Sequence, residues 1–124
     1  MKRVLVVEDN PDNLELIRLV LSRSGYTVLA ALTGEDGVDM AVRERPDFIL
    51  MDINLPGIDG LEATRRIRAS GANGSIPIIA ITSNAMRGDM AQVLAAGCNG
   101  YFEKPIDPLR IMDDIHAILG RMGR

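Results

Sequence analysis

Asp47-Phe-Ile-Leu-Met-Asp52-Ile-Asn-Leu-Pro-Gly57 is the stretch whose reading decides the fold. Four consecutive apolar residues between two carboxylates read as a short strand covered on both faces, the pattern of a parallel sheet. Asp52 closes the run, and a carboxylate at the end of a buried strand is costly unless something there uses it. Pro56-Gly57 then suits a type II turn, with glycine at the position that needs positive φ.

Outward from this stretch, other apolar runs end on polar groups in the same way. Arg3-Val-Leu-Val-Val7 is followed by Glu8-Asp9, Ile78-Ile-Ala-Ile81 by Thr82-Ser83, and Tyr101-Phe102 by Lys104-Pro105 after one glutamate. The predicted strands are Val4 to Val7, Thr27 to Ala31, Phe48 to Met51, a fourth after Pro77, and Asn99 to Phe102.

Segments of helical period lie between them. Asn10 supplies an N-cap and Pro11 the first helical position, with Leu14, Ile17, Val20 and Leu21 on one face and Gly25 as the stop. Thr33, with Asp36 three residues on, opens a second helix carrying Val38, Ala41 and Val42 inward until Pro46. Asp59 and Glu62 resemble a capping box for a third helix to about Ala69. The polar, glycine-rich segment from Ser70 to Ser75 reads as a loop. Residues 85 to 96 give a weaker helix, with Met86, Met90, Val93 and Leu94 on one side and Gly88 inside, at about 1 kcal/mol relative to alanine. Gly97 caps it, and Asp107-Pro108 opens a final helix to about Met122.

Strict β-α alternation predicts an α/β, doubly wound, five-stranded parallel sheet with five helices, right-handed crossovers and strand order 2-1-3-4-5. No repeat, low-complexity tract or linker interrupts it, so residues 1–124 are expected to be a single domain without an appended effector. In such sheets ligands bind beyond the carboxyl ends of the strands, where strand order reverses. That edge is expected to gather Glu8, Asp9, Asp52, Thr82 and Lys104.

Composition narrows the function. Fourteen basic and seventeen acidic residues leave a net charge of −3, which offers no electrostatic footprint for nucleic acid or an anionic membrane. Arg65, Arg66 and Arg68 cluster, but on what reads as a solvated helix face. No run approaches a membrane span and no signal peptide precedes the first strand, so the cytoplasm is the expected location. The single cysteine, Cys98, has no partner thiol or metal-spaced histidine and reads as a buried structural thiol. His116 falls beside the apolar stripe of Ile111, Met112, Ile115, Ile118 and Leu119 and reads as a partly exposed packing residue.

Three carboxylates within a few ångströms raise one another's pKa unless a cation binds among them. Oxygen ligands with completing waters suit Mg²⁺ better than Zn²⁺. One carboxylate could then attack a phosphoryl group, with the metal and a lysine neutralising charge on the transferring oxygens.

From Arg3 to about Met122 the chain resembles the receiver domains of two-component response regulators. Val6-Val-Glu-Asp-Asn10, Met51-Asp-Ile-Asn-Leu-Pro-Gly57, Ala80-Ile-Thr-Ser-Asn-Ala85 and Lys104-Pro-Ile106 stand in that family's order and spacing. The resemblance implies that Asp52 accepts phosphoryl from a phosphohistidine. It implies direct Mg²⁺ ligation by Asp9, Asp52 and the main-chain carbonyl of Asn54, with Glu8 acting through water and Mn²⁺ as an alternative ion. Lys104 would pair with the phosphoryl group, Thr82 and Tyr101 would form a coupled switch pair, and Pro105 would follow a cis peptide bond.

Within the family the chain is most similar to DivK-like, cell-cycle regulators of the single-domain type. The residues carrying this are Glu8-Asp-Asn10 with Asn13, Ala85-Met86 with Gly88-Asp89, and Ala96-Gly-Cys98. The resemblance implies a histidine kinase or histidine phosphotransfer protein as donor, in a monomer or weak dimer. It also implies a downstream protein that reads a face built from the fourth helix, fifth strand and fifth helix; Met86, Met90, Tyr101, Ile106 and Met112 lie on those elements, and the sequence leaves open which of them are exposed. A phosphorelay intermediate and a chemotaxis-type regulator are the alternatives. A flavodoxin-like redox protein is disfavoured because Glu8-Asp9 would repel a phosphate, and a haloacid-dehalogenase-type hydrolase because Asn54 replaces its second aspartate. Slow self-dephosphorylation, rather than steady turnover, is expected.

Overall fold

The structure, a computed structural model, describes residues 2–71, 74–83 and 88–121. Five strands alternate with five helices: β1 (Arg3–Val7), α1 (Pro11–Arg23), β2 (Thr27–Ala31), α2 (Gly34–Glu44), β3 (Phe48–Asp52), α3 (Gly60–Ala69), β4 (Ile78–Thr82), α4 (Gly88–Ala96), β5 (Gly100–Glu103) and α5 (Ile111–Arg121). All strand pairs are parallel and the order is β2-β1-β3-β4-β5. This is the doubly wound sheet expected from the alternation.

Side chains of each strand alternate between two apolar layers, as the two-residue period of a strand requires. Val4, Val6, Phe48, Leu50, Ile79 and Ile81 pack on one face with Leu14, Ile17 and Leu21 of α1 and Ile111, Ile115 and Ile118 of α5. Leu5, Val7, Ile49, Met51, Ile78 and Ala80 pack on the other with Ala41 of α2, Ala63 and Ile67 of α3 and Val93 of α4. Each fully buried aliphatic side chain contributes about 1.5–3 kcal/mol, so the central strands are held from both sides.

Helix starts follow local chemistry. Asn10 accepts a hydrogen bond from the Asn13 N–H at 3.0 Å, Thr33 from Asp36 at 3.1 Å and Asp59 from Glu62 at 2.9 Å. The capping box at Asp59 is only half formed, because the Glu62 carboxylate pairs with Arg65 at 3.3 Å and Arg66 at 3.0 Å instead of turning back. Gly57 has the expected positive φ of 73°. The Ile58 N–H points to the Glu35 carboxylate at 3.4 Å.

Several expectations are corrected. The fully buried face of α2 is Gly34, Gly37 and Ala41, with Val38 and Val42 only partly buried. A Cβ on Gly37 would meet Val7 Cγ2 at 2.8 Å, so this helix lies too close to β1 for a larger residue. Among the described side chains of α4 the buried ones are Val93 and Ala96, while Met90 and Leu94 are 37% and 51% exposed. A helix with apolar residues around most of its circumference does not reveal its inward face by periodicity. Residues 85–87 of the predicted helix, Met86 among them, lie outside the described residues, as does Met122.

α5 begins at Ile111 rather than at Asp107-Pro108. The Asp107 side chain accepts the Leu109 N–H at 2.9 Å, and its carbonyl accepts both the Arg110 and Ile111 N–H groups, which makes a tight turn before the helix. Ile106 is buried in the layer beneath α1 and α5.

Arg68 departs most from its expectation. Arg65 and Arg66 are exposed as predicted, but the Arg68 guanidinium donates to Gly97 O at 2.9 and 2.7 Å, Gly74 O at 3.0 Å and Asn99 Oδ1 at 2.7 Å, and also reaches Ile76 O. It ties α3, the loop before β4, the end of α4 and the start of β5 together. Cys98 is buried as expected, 3.7 Å from Thr64 Oγ1, and burial pushes its thiol pKa up. His116 is exposed.

Candidate functional site

The carboxyl edge of the sheet carries the groups that the strand ends predict. Asp52 is the last residue of β3 and 1% exposed, and Glu8 directly follows β1 and is 0% exposed. Because β1 and β3 are neighbours in parallel register, with Val7 opposite Met51, the two acids arrive side by side. The Lys104 Nζ lies 3.1 Å from Asp52 Oδ2 and 3.2 Å from Glu8 Oε1. One cation therefore serves two buried anions.

The remaining oxygens are held by backbone. Asp52 Oδ1 accepts the Asn54 N–H at 3.0 Å, and Glu8 Oε2 accepts the Asn10 N–H at 3.1 Å. The Ser83 hydroxyl donates to Asn54 Oδ1 at 3.2 Å, which joins the loops that follow β3 and β4. The Lys104 N–H donates to the Thr82 carbonyl at 2.8 Å, and the Lys104–Pro105 peptide bond is cis.

Burial, followed by the neighbouring Asp52 carboxylate, raises the Glu8 pKa from 4.5 to about 7, against the lowering effect of the Asn10 N–H and Lys104. For Lys104 burial acts downward, but the hydrogen bond and charge of Asp52 and then of Glu8 prevail and the net shift is upward. Among the described residues the site thus holds more negative charge than Lys104 neutralises.

Glu8, Asp9 and Asp52 each place a carboxylate oxygen within 4.8 Å of the other two. Glu8 Oε1 is buried with the Lys104 ion pair but no hydrogen bond. An all-oxygen donor set with an incompletely satisfied buried acceptor fits a hard divalent cation.

Thr82 ends β4 and is 5% exposed. It falls in the alternation of Ile78 and Ala80, and Ala80 is in register with Tyr101 on β5. Thr82 and Tyr101 therefore share the sheet face covered by α3 and α4. The Tyr101 ring is partly buried there, and its hydroxyl donates to Met90 Sδ at 3.1 Å.

One supporting residue escaped the sequence reading. A Cβ on Gly60 would stand 2.2 Å from the Asp52 carbonyl oxygen, and the Gly60 N–H donates to Ile53 O at 3.0 Å. The first residue of α3 is pressed against the backbone of Asp52, which only glycine allows. Its position directly after the N-cap Asp59 is the one signal in the sequence. The Ser83–Asn54 link had none, since it depends on how two loops meet.

The chain is similar to known proteins along nearly its whole length. The response regulator receiver domain profile matches residues 4–116. The polar-differentiation response regulator DivK of Brucella anthropi is 40% identical over 119 residues, covering 96% of this chain and 97% of the relative. The receiver domain of the sensor histidine kinase PA1611 from Pseudomonas aeruginosa, solved with a magnesium ion coordinated in its active site cleft, superimposes with a TM-score of 0.87. It shares 41% identity, with 96% and 98% of the two chains covered. The chemotaxis protein CheY4 of Vibrio cholerae gives a TM-score of 0.90 at 25% identity over 95% of this chain and 98% of its own. With acids, lysine and hydroxyl set at the ends of β1, β3, β4 and β5, the chain belongs to the response regulator receiver domain family.

Proposed function

We propose that Asp52 is the phosphoacceptor of a two-component or phosphorelay signalling protein. The observation that carries this reading is the Lys104 ammonium held between Asp52 and Glu8 at the strand edge. An Asp52 carboxylate oxygen bonds to phosphorus while the P–N bond of a phosphohistidine breaks. The departing imidazole takes its proton from solvent, and the donor is a histidine kinase or a histidine phosphotransfer protein.

Asp9, Asp52 and the Asn54 main-chain carbonyl would hold Mg²⁺, or Mn²⁺ in its place, with Glu8 acting through water. Bound there, such an ion supplies positive charge to the transferring phosphoryl oxygens. Lys104 pairs with the phosphoryl group once Asp52 is esterified, and the Thr82 hydroxyl donates to one of its oxygens. Tyr101, on the same sheet face, follows inward. Moving the inactive-to-active ratio from 99:1 to 1:99 takes about 5.5 kcal/mol, within reach of several charge-assisted hydrogen bonds and their repacking.

The protein acts as a single receiver domain whose output is phosphorylation-dependent binding of another protein to the face formed by α4, β5 and α5. Similarity to DivK proteins favours a cell-cycle or polarity role, in the cytoplasm, as a monomer or weak dimer. It dephosphorylates itself slowly and does not turn over a small substrate. A second reading, relay of the phosphoryl group to a further histidine, draws on the 41% identity with a sensor kinase's receiver domain.

Acetyl phosphate with Mg²⁺ tests the assignment by intact-protein mass. The wild type is expected to gain one phosphoryl mass and Asp52→Asn none, whereas equal labelling of both proteins would remove Asp52 from the role.

A further inference from the structure

The hydrogen bond between Tyr101 and Met90 is unusual in its chemistry. A thioether is a weak acceptor, and a phenol at a partly exposed position can satisfy itself with water, yet the Tyr101 hydroxyl approaches Met90 Sδ to 3.1 Å. Met90 is not there to fill the core, because it is 37% exposed and, among the described side chains of its helix, the buried ones are Val93 and Ala96. The side chain bridges α4 to β5 at the third residue of α4, the helix that follows Thr82 in the chain.

We propose that Met90 is a positioning residue that holds Tyr101 in its outward position, so that the ring turns inward only when this O–H···S bond breaks. The proposal rests on the reading of Thr82 and Tyr101 as a switch pair. It adds the element that sets the pair's resting position. Tyr101 is joined to the sheet by its backbone and to α4 by its hydroxyl. Ring release and loosening of the first turns of α4 from β5 are consequently one event. Leucine offers similar volume without an acceptor. Glutamine offers similar length with an oxygen in place of sulfur.

The chain has two tyrosines and no tryptophan, so incorporation of 3-fluorotyrosine gives two ¹⁹F resonances. Tyr26 serves as the internal reference: it is 9% exposed and packs edge-on against Phe48 in the opposite layer, with ring centroids 5.5 Å apart. In the wild type, acetyl phosphate with Mg²⁺ is expected to move the Tyr101 resonance and leave Tyr26 in place. Without phosphorylation, Met90→Leu is expected to displace Tyr101 part of the way toward that position. The outward-to-inward ratio would change about threefold, the net worth of one weak neutral hydrogen bond. Met90→Gln is expected to return the resonance close to its wild-type place.

A phosphorylated wild type that shifts normally, beside a Met90→Leu resonance fixed at the resting position, would overturn the proposal alone. Equal displacement in Met90→Leu and Met90→Gln would also overturn it, since packing and not the hydrogen bond would then set the ring. A wild-type Tyr101 resonance indifferent to phosphorylation of Asp52 would overturn the switch reading, and the proposal with it.

Discussion

Lys104 is bound twice to the signalling edge: its Nζ lies 3.1 Å from Asp52 Oδ2, and its backbone N–H donates to the carbonyl of Thr82 at 2.8 Å. The residue whose ammonium pairs with Asp52 is thus also the one whose backbone holds the end of β4. Replacing Lys104 with Ala is expected to leave some phosphorylation by acetyl phosphate but to suppress the Tyr101 response. Without Mg²⁺ it should also destabilise the fold by about 2 kcal/mol at pH 8, because Glu8 and Asp52 then face each other with no cation. Urea unfolding with and without Mg²⁺ measures the second effect, and a full Tyr101 response in the variant would contradict the first.

Glu8 sets a pH dependence with a definite sign. Its folded-state pKa of about 7 exceeds the ordinary 4.5, so between these values the folded protein holds more proton than the unfolded chain. Stability contributed by the protonated group is fully present below pH 4.5 and is lost as pH rises through 7. Glu8→Gln lacks this dependence. In chelator, its stability relative to wild type should rise between pH 4.5 and 8 by on the order of 2–3 kcal/mol. Denaturant melts at the two pH values would show it, and a constant difference would mean that folding leaves the Glu8 pKa at its ordinary value.

Gly60 is expected to be intolerant where a helix normally gains from alanine. The added Cβ would fall 2.2 Å from the Asp52 carbonyl oxygen, which is backbone and cannot swing away. Gly60→Ala should cost about 2–4 kcal/mol despite a helix-propensity gain of about 1 kcal/mol, and should slow phosphorylation by acetyl phosphate. Gly71→Ala, with nothing within 4 Å, is the matched control and should be near neutral.

Arg68 and Arg66 separate burial from charge on one helix. Arg66→Ala removes an exposed pair with Glu62 and should change stability by less than about 0.5 kcal/mol. Arg68→Ala leaves the carbonyls of Gly97, Gly74 and Ile76 without their donor and should cost about 2–3 kcal/mol. Salt should alter the Arg66 result and leave the Arg68 result nearly unchanged.

The sequence was most legible where structure is local. Strand β2 has the bounds read from Thr27 to Ala31, and the caps at Asn10, Thr33 and Asp59 each need only a side chain and an N–H three residues on. The parallel order made the meeting of Glu8, Asp52 and Lys104 readable, because strand ends in such a sheet share one edge. Features made by approach in space were not legible. Nothing in Arg65-Arg-Ile-Arg68 says which arginine finds carbonyls, since the loop near Gly74 and the end of α4 must first arrive. The buried face of α4 is a choice among apolar residues that only its neighbours make. Gly60 looked like an ordinary helix start because its neighbour, the Asp52 carbonyl, is eight residues back along the chain.

The single lysine at the sheet edge has an electrical consequence. Among the described residues, three carboxylates and one ammonium sum to two formal negative charges, the amount one divalent cation cancels. A site so balanced rests near neutrality when loaded. Esterification of Asp52 would replace one negative charge by nearly two, so the step leaves about one uncompensated charge in an otherwise silent place. The protein's message would then be a single unit of charge, heard clearly because the background was set to zero.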